Sequence, residues 1–155
     1  MPRAPDADIP RIMYSIEPYA GGHREEVCTL WREVFGYTEA RNAPELSIDK
    51  KTAWGDGLFW VALESGRVIG TIMAGYDGHR GWIYSLAVRP ETRHRGVGSA
   101  LLRHAEARLA ALGCLKVNLQ LVASNGATVA FYESLGYRVE ARVSMGRTLG
   151  ENVRH

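Results

Sequence analysis

The sequence predicts one mixed α/β domain of the α+β type, with a central mixed β-sheet of about six or seven strands flanked by about four helices. Its 155 residues suffice for one domain with a sizeable core, and its 46% hydrophobic and 23% charged content is ordinary for a globular protein. Short β-rich runs alternate with stretches of helical spacing, in the order βααβββαβαββ, and no internal repeat interrupts them.

The N-terminal half is predicted to form one strand, two helices and a three-stranded meander. RIMYSIEPY favours a short strand, and HREEVCTLWREVFGY spaces its apolar residues as a helix does. The second helix is expected to begin at Pro44 and to stop before Gly55. LFWVALES and RVIGTIMAGY are joined around Ser65-Gly66, a hairpin signature, and WIYSLAV supplies the third strand.

The C-terminal half is predicted to alternate helices and strands. A helix begins near Gly98 and ends before Gly113, with LKVNLQLV as the strand that follows. SNGATVAFYESLGY predicts a short helix with Asn125 as its N-cap and Gly136 as its stop. RVEARVSMGRTL is expected to give one or two closing strands.

Composition narrows the partners and the location. The net charge is only +2, from 19 basic and 17 acidic residues, which favours neither nucleic acid nor a membrane surface as partner. No apolar run approaches the ~18 residues of a membrane helix. Residues 1–10 lack the apolar core of a signal peptide and predict a flexible leader. Cys28 and Cys114 form no CxxC pair, and their spacing alone leaves a disulfide open; we expect small core residues, no metal site and a cytoplasmic protein.

The densest basic stretch, RPETRHRGVGS, lies where the longest predicted helix begins. The first N–H groups of a helix lack internal partners and attract phosphate, and Gly96 and Gly98 leave the backbone bare. Arg93 and Arg95 add donors, whereas Arg89, before Pro90, is expected to meet solvent. This pattern predicts a pyrophosphate cradle, with a solvated basic turn as the alternative. A nucleotide P-loop would need Gly-Lys, and a dinucleotide loop a third glycine; neither is present.

These residues resemble a known family. RHRGVG fits the R/Q-x-x-G-x-G/A signature of the GNAT acetyltransferases, and N…AFYESLGY resembles their second stretch, with Thr128 in place of a frequent alanine. The predicted element order over residues 12–149 is also similar to that of the family. The pattern GYDGHRG…Y.L.V.PE.R.RG looks like the bacterial YpeA-like subgroup.

The resemblance implies acetyl-CoA as cosubstrate and no metal. It implies that strand residues offer backbone groups to the pantetheine arm, that the loop binds the pyrophosphate, and that Asn125 bonds the pantetheine or caps the last helix. The implied cofactor-binding residues are Leu86, Ala87, Val88, Arg93, His94, Arg95, Gly96, Val97, Gly98, Ser99 and Asn125.

The resemblance also implies an N-acetyltransferase in which a primary amine attacks the thioester directly. Tyr132 is the predicted catalytic residue, donating a proton to the CoA thiolate; the alternative is a packing role beside Phe131. The general base is left open among Asp77, His79, Tyr84 and water. Both cysteines lack a basic neighbour in sequence, which disfavours a covalent intermediate.

The sequence is compatible with other functions. The main alternative is a non-catalytic acyl-CoA-binding module, and a nucleic-acid binder is disfavoured because no aromatic residues are interleaved with the arginines. The acceptor is a small-molecule amine or a protein amino group, and residues 36–42, with Tyr37 and Asn42, are where this family varies its acceptor pocket. A homodimer is one option for the oligomeric state.

Overall fold

The computed structural model describes residues 13–37 and 42–150. The predicted leader over residues 1–10 therefore lies outside the described residues. The chain divides into two compact units, with the boundary in the chain between Leu119 and Gln120.

The first unit is built on a five-stranded sheet with the strands in chain order. Strands β1 to β4 pair antiparallel and β5 runs parallel to β4, so the sheet is mixed as predicted. The predicted meander is confirmed. Its first turn has Ser65 at φ 50° and Gly66 at φ 76°, the two left-handed residues that a type I′ hairpin needs. The strands are β1 Ser15–Pro18, β2 Phe59–Glu64, β3 Arg67–Tyr76, β4 Gly81–Val88 and β5 Val117–Asn118.

Helices cover both faces of this sheet. In β2, Phe59 stacks on Trp31 of α1, whereas its neighbour Trp60 contacts His104 of α3. Because successive strand side chains point to opposite faces, α1 and α3 lie on opposite sides of the sheet. This explains why β3 is buried along most of its length. The helices are α1 Arg24–Phe35, α2 Pro44–Trp54 and α3 Val97–Ala111.

Gly70 sets how closely α3 approaches the sheet. A Cβ atom built on Gly70 would lie 2.9 Å from Leu101 Cδ1 and 3.3 Å from Val97 Cγ1. Such distances would force the helix outward, so a glycine on β3 lets the first turns of α3 rest directly against the strand. The start of α3 is thereby fixed relative to β3.

The second unit contains helix α4, Gly126–Ser134, as predicted. The predicted closing strands over residues 138–149 are wrong, because no strand forms there in the described chain. Val139, Val143 and Met145 are 77%, 89% and 91% exposed. Their alternation with polar residues is typical of a strand, but a strand is stable only when a neighbouring strand takes its backbone hydrogen bonds.

The strand predicted from LKVNLQLV is also shorter than expected. Only Val117 and Asn118 pair with β4, opposite Gly81 and Trp82, and Leu115 is 97% exposed. The described residues thus form five strands and four helices, and the predicted six or seven strands are not matched. The helix count and the mixed α+β class are confirmed.

Two simpler expectations concern the cysteines and membrane association. Cys28 and Cys114 are both buried and free, as small core residues are. Within residues 13–37 and 42–150, no helix is both long and apolar enough to cross a membrane.

Candidate active site

The ladder between β3 and β4 breaks at Ser85. Thr71 of β3 faces Ala87 of β4, but Met73 faces Tyr84. Ile72, the one residue between Thr71 and Met73, therefore opposes two residues of β4, Ser85 and Leu86. This is a β-bulge. Ser85 has φ 49°, a left-handed conformation that is uncommon for a residue with a side chain. Leu86, Ala87 and Val88, the strand residues predicted to face the cofactor, follow directly.

Three side chains converge on the bulge. The indole Nε1–H of Trp31 donates to Thr71 Oγ1 at 2.8 Å, and Thr71 Oγ1 donates to the Ser85 carbonyl at 2.9 Å. Tyr37, two residues after the end of α1, is partly buried near the Ser85 side chain; burial raises the pKa of Tyr37, and the interaction with Ser85 opposes the rise. Tyr37 was predicted near the acceptor pocket, and the structure brings it to the bulge.

Arg89, just after β4, is a structural residue. Its side chain is buried, its Nε–H donates to the Val68 carbonyl at 2.6 Å, and its Nη2 lies 3.8 Å from Glu26 Oε2. Glu26 Oε2 in turn accepts the Val68 N–H at 2.7 Å. The expectation that Arg89 meets solvent is wrong. The reason is that the end of β4 lies against β3 and α1, where a guanidinium can bond a carbonyl and a carboxylate together.

The loop after Arg89 turns sharply into α3. His94 has φ 63° and Gly96, the N-cap of α3, has φ 80°. The first backbone bond of the helix runs from Ala100 N–H to the Gly96 carbonyl, and no side chain of the described residues caps this end. The N–H groups of residues 97–99 precede that bond. They are the free donors that a helix N-terminus offers to an anion.

The two arginines of the signature differ in their surroundings. Arg93 is exposed, and its side chain forms no ion pair with any described residue. Arg95 is partly buried and pairs with Glu64 at the end of β2, with one Nη1–Oε1 distance of 3.4 Å and a closer contact between Nη2 and Oε2. Arg93 is the more available cation.

The turn between β3 and β4 holds the candidate bases. Asp77 Oδ1 accepts the backbone N–H groups of His79 at 2.8 Å and Arg80 at 2.7 Å. These two bonds, that of Arg80 first, hold the pKa of Asp77 below its usual range, so the carboxylate is a weak base. Tyr84 is half exposed, and burial followed by the nearby Asp77 charge raises the pKa of its phenol. Tyr84 is therefore neutral near pH 7.

The other two predicted residues, Asn125 and Tyr132, lie in the second unit. Asn125 Oδ1 accepts the Thr128 N–H at 3.3 Å, so Asn125 caps α4, one of its two predicted roles. Tyr132 is 7% exposed, with ring centroids 5.1 Å from Phe131 and 5.5 Å from Tyr137. Burial raises the pKa of Tyr132 to about 12.

A cleft of about 470 Å³ lies elsewhere, beside the first turns of α1, and includes none of the predicted residues. Its cations are already paired: Arg24 with Asp49 at 2.9 Å and Arg32 with Glu45 at 2.6 Å. A charged ligand there would have to displace these pairs. Among the residues that the structure describes, no group of three or more His, Cys, Asp or Glu could hold a metal ion.

The family is decided by comparison with known proteins. The model of the Acetyltransferase (GNAT) family matches residues 24–137, which is most of the chain. The protein belongs to this family. The match includes the bulge, the loop before α3 and the whole of α4.

Solved structures share the GNAT fold. The PaiA N-acetyltransferase of Thermoplasma acidophilum, solved with coenzyme A, is 20% identical with a TM-score of 0.73, over 84% of this chain and 92% of that one. The aminoglycoside N-acetyltransferase AAC(6')-Iy, solved with CoA, is 20% identical with a TM-score of 0.74, over 90% and 98%. Ard1 of Thermoplasma volcanium is 26% identical with a TM-score of 0.72, over 83% and 84%.

Sequence reasoning found the GNAT loop but missed Thr71 and Ser85. A signal for Thr71 exists, since it is the polar residue inside the apolar run VIGTIMA, and a buried hydroxyl needs a partner. Ser85 carries a weaker signal, a small polar residue where the alternation of WIYSLAV calls for an apolar one. Neither signal identifies the partner, because the partners are distant in the sequence.

Proposed function

We propose that this protein is an N-acetyltransferase that transfers the acetyl group of acetyl-CoA to a primary amine by direct attack. The observation that carries the proposal is the loop at the start of α3. There His94 and Gly96 take left-handed conformations, and the N–H groups of residues 97–99 are free to bind an anion. Membership of the GNAT family supports pyrophosphate as that anion.

The β4 edge supports a place for the pantetheine arm. β5 pairs only with Gly81 and Trp82, so among the described residues of the first unit no strand lies beside residues 83–88 on that side. An open strand edge presents N–H and C=O groups that can bond the amides of an extended ligand. The backbone of Leu86, Ala87 and Val88 belongs to this edge and leads toward the loop.

The bulge supports a role in polarising the thioester carbonyl. The Ser85–Leu86 peptide is trans, so its N–H points opposite to its carbonyl. That carbonyl is bonded to Thr71 on β3. The Leu86 N–H therefore points away from β3, as a fixed donor for the oxygen on which negative charge develops during attack.

Tyr132 remains the proposed proton donor to the CoA thiolate, on the strength of the family stretch that contains it. With a pKa raised to about 12, its phenol stays protonated at every ordinary pH. A thiol with a pKa near ~8.5 is a stronger acid than this phenol, so the proton transfer lacks driving force. We expect its contribution at or below the low end of general acid catalysis, about 10–100-fold.

We propose that water removes the amine proton. The ordinary pKa of an alkyl ammonium is near ~10.4, so a small neutral fraction is present at pH 7 to 8. Asp77 is a poor base because its pKa is lowered by its backbone bonds, and Tyr84 is neutral. His79 is exposed on the same turn and is a second route for the proton.

The acceptor is proposed only as a class, a small-molecule amine or a protein amino group. One structural relative carries an aminoglycoside name and another a general N-acetyltransferase name. The YpeA-like subgroup, a cytoplasmic location and a homodimer stay predictions. We also propose that both units form one acetyltransferase domain, since the family match runs from residue 24 to residue 137.

A thiol-release assay with acetyl-CoA and a panel of amines tests the function. We expect turnover above the rate of acetyl-CoA hydrolysis for at least one amine class. Tyr132→Phe should lower kcat about 10–100-fold with little change in the Kd of acetyl-CoA, because the ring and its packing remain. Tight acetyl-CoA binding without turnover on any amine or protein acceptor would instead support the non-catalytic module. Full turnover in the Phe variant would leave Tyr132 a packing residue.

A further inference from the structure

A chain of hydrogen bonds holds the bulge of β4, and its residues, Trp31, Thr71 and Ser85, all lie outside the loop signature. Trp31 and Thr71 are both fully buried, 40 residues apart in sequence, and joined at 2.8 Å. An indole N–H can only donate and a carbonyl oxygen can only accept. The direction of the chain is therefore fixed, from Trp31 through the Thr71 hydroxyl to the carbonyl of Ser85.

Ser85 needs such support. A residue with a side chain at φ 49° is in an unfavourable conformation, which persists when surrounding contacts determine it. Without the Thr71 bond, the Ser85–Leu86 peptide could rotate back toward the extended strand geometry. Rotation of this peptide would turn the Leu86 N–H by the same angle, because the peptide unit is planar.

We propose that Thr71, oriented by Trp31, is a positioning residue that sets the direction of the Leu86 N–H at the reacting thioester. This inference rests on the proposed acetyl transfer. Thr71 lies on β3 and Trp31 on α1, and both side chains are fully buried. They therefore act through the Ser85 carbonyl and not by touching the cosubstrate. The chemistry they control is the alignment of one donor with the developing oxyanion.

The matched pair Thr71→Val and Thr71→Ser isolates the hydroxyl. Valine keeps the shape and removes the donor, whereas serine keeps the donor and removes a methyl group. We expect kcat to fall about 10–100-fold in Thr71→Val and by less than about threefold in Thr71→Ser, with the KM of acetyl-CoA changed much less than kcat. Equal losses in the two variants would overturn the proposal, because packing alone would then explain them.

A third variant tests the backbone conformation itself. Glycine takes φ near 49° without strain, so Ser85→Gly should relieve the need for the chain. We expect Thr71→Val in the Ser85→Gly background to lose less than about tenfold in kcat relative to Ser85→Gly alone. Ser85→Ala, which keeps the Cβ but loses the hydroxyl near Tyr37, is the control. Undiminished loss in the glycine background contradicts a positioning role.

The NMR chemical shift of the Leu86 amide tests the same hydrogen-bond chain without an enzymatic assay. In ¹⁵N-leucine-labelled protein, the Leu86 amide shift should move in Thr71→Val and stay in place in Thr71→Ser. An unmoved Leu86 signal overturns the inference even if activity falls. Absence of turnover in the wild type would contradict only the proposed acetyl transfer. The Leu86 shift would still test whether Thr71 positions the Leu86 N–H. Should Thr71→Val fail to fold, Trp31→Phe should move the Leu86 signal less but measurably, and no movement contradicts the proposal.

Discussion

The two stretches that resemble the family, the connection from β4 to α3 and helix α4, differ in the kind of group proposed to act: backbone groups in the first and one side chain in the second. In the β4–α3 connection, residues 85–99, the groups proposed to bind acetyl-CoA are backbone groups, set by the left-handed conformations of Ser85, His94 and Gly96. In α4, the candidate is one side chain, Tyr132, buried in a unit whose closing residues 138–149 are largely exposed. Gly96 leaves a mark in the sequence because a left-handed position favours glycine, whereas Ser85 and His94 take that conformation with other side chains and leave none. The acidity of a side chain depends on burial, which residue spacing does not reveal.

Arg89 and Arg93 should differ most in what their removal changes, stability in one case and acetyl-CoA binding in the other. Arg89→Ala should lower the free energy of unfolding by about 2–3 kcal/mol, because the Val68 carbonyl and Glu26 lose a charged donor at a largely buried position. Arg93→Ala should leave stability within about 0.5 kcal/mol and weaken acetyl-CoA binding about tenfold, since its exposed side chain is available to phosphate. Urea unfolding and calorimetry measure the two effects. The roles assigned here are wrong if Arg93→Ala destabilises the fold and Arg89→Ala does not.

The glycine at the start of α3 can be compared with a glycine outside the loop. Gly96 and Gly57 have φ 80° and 71°, and a Cβ on either would meet nothing within 4 Å. Valine at each position should therefore introduce a similar strain, about 1–2 kcal/mol. Only Gly96→Val should weaken acetyl-CoA binding, about 10–100-fold by calorimetry, because its side chain occupies the approach of the phosphates.

Equal weakening in the two glycine variants would mean that strain, not access, explains the glycine. Unchanged binding in a folded Gly96→Val variant would remove the case for a phosphate site at this loop. Both outcomes can be read only when the variants are compared at the same folded fraction, which circular dichroism checks.

Sequence reasoning succeeded where local rules act and failed where distant residues decide. The cap at Gly55, the Ser65-Gly66 turn and the start of α3 follow from short-range backbone preferences. The burial of Arg89 and the bulge at Ser85 depend on Glu26, Thr71 and Trp31, which lie on other elements. Residues 138–149 show the same limit. Their alternation of apolar and polar residues predicts strands, but a strand forms only where a neighbouring strand takes its backbone hydrogen bonds.

The smallest predicted effect tests the burial of Tyr132 directly. Its pKa is raised from 10 to about 12, so the folded state holds this proton more tightly than the unfolded state does. The resulting stability is fully present below pH 10 and is lost as pH rises toward 12. At pH 11 the loss from this group amounts to about 1.4 kcal/mol.

Urea unfolding of the wild type and of Tyr132→Phe at pH 8 and pH 11 measures that loss. Phenylalanine has no proton to lose, so the decline in unfolding free energy between these pH values should be smaller in the variant by about 1.4 kcal/mol. The other tyrosines with raised pKa, Tyr19, Tyr37 and Tyr84, are present in both proteins and cancel in the comparison. An equal decline in both proteins would show that Tyr132 ionises as an exposed phenol does. In that case the low expected contribution of Tyr132 to catalysis would lose its physical basis, and a larger share of the proton transfer could be assigned to it.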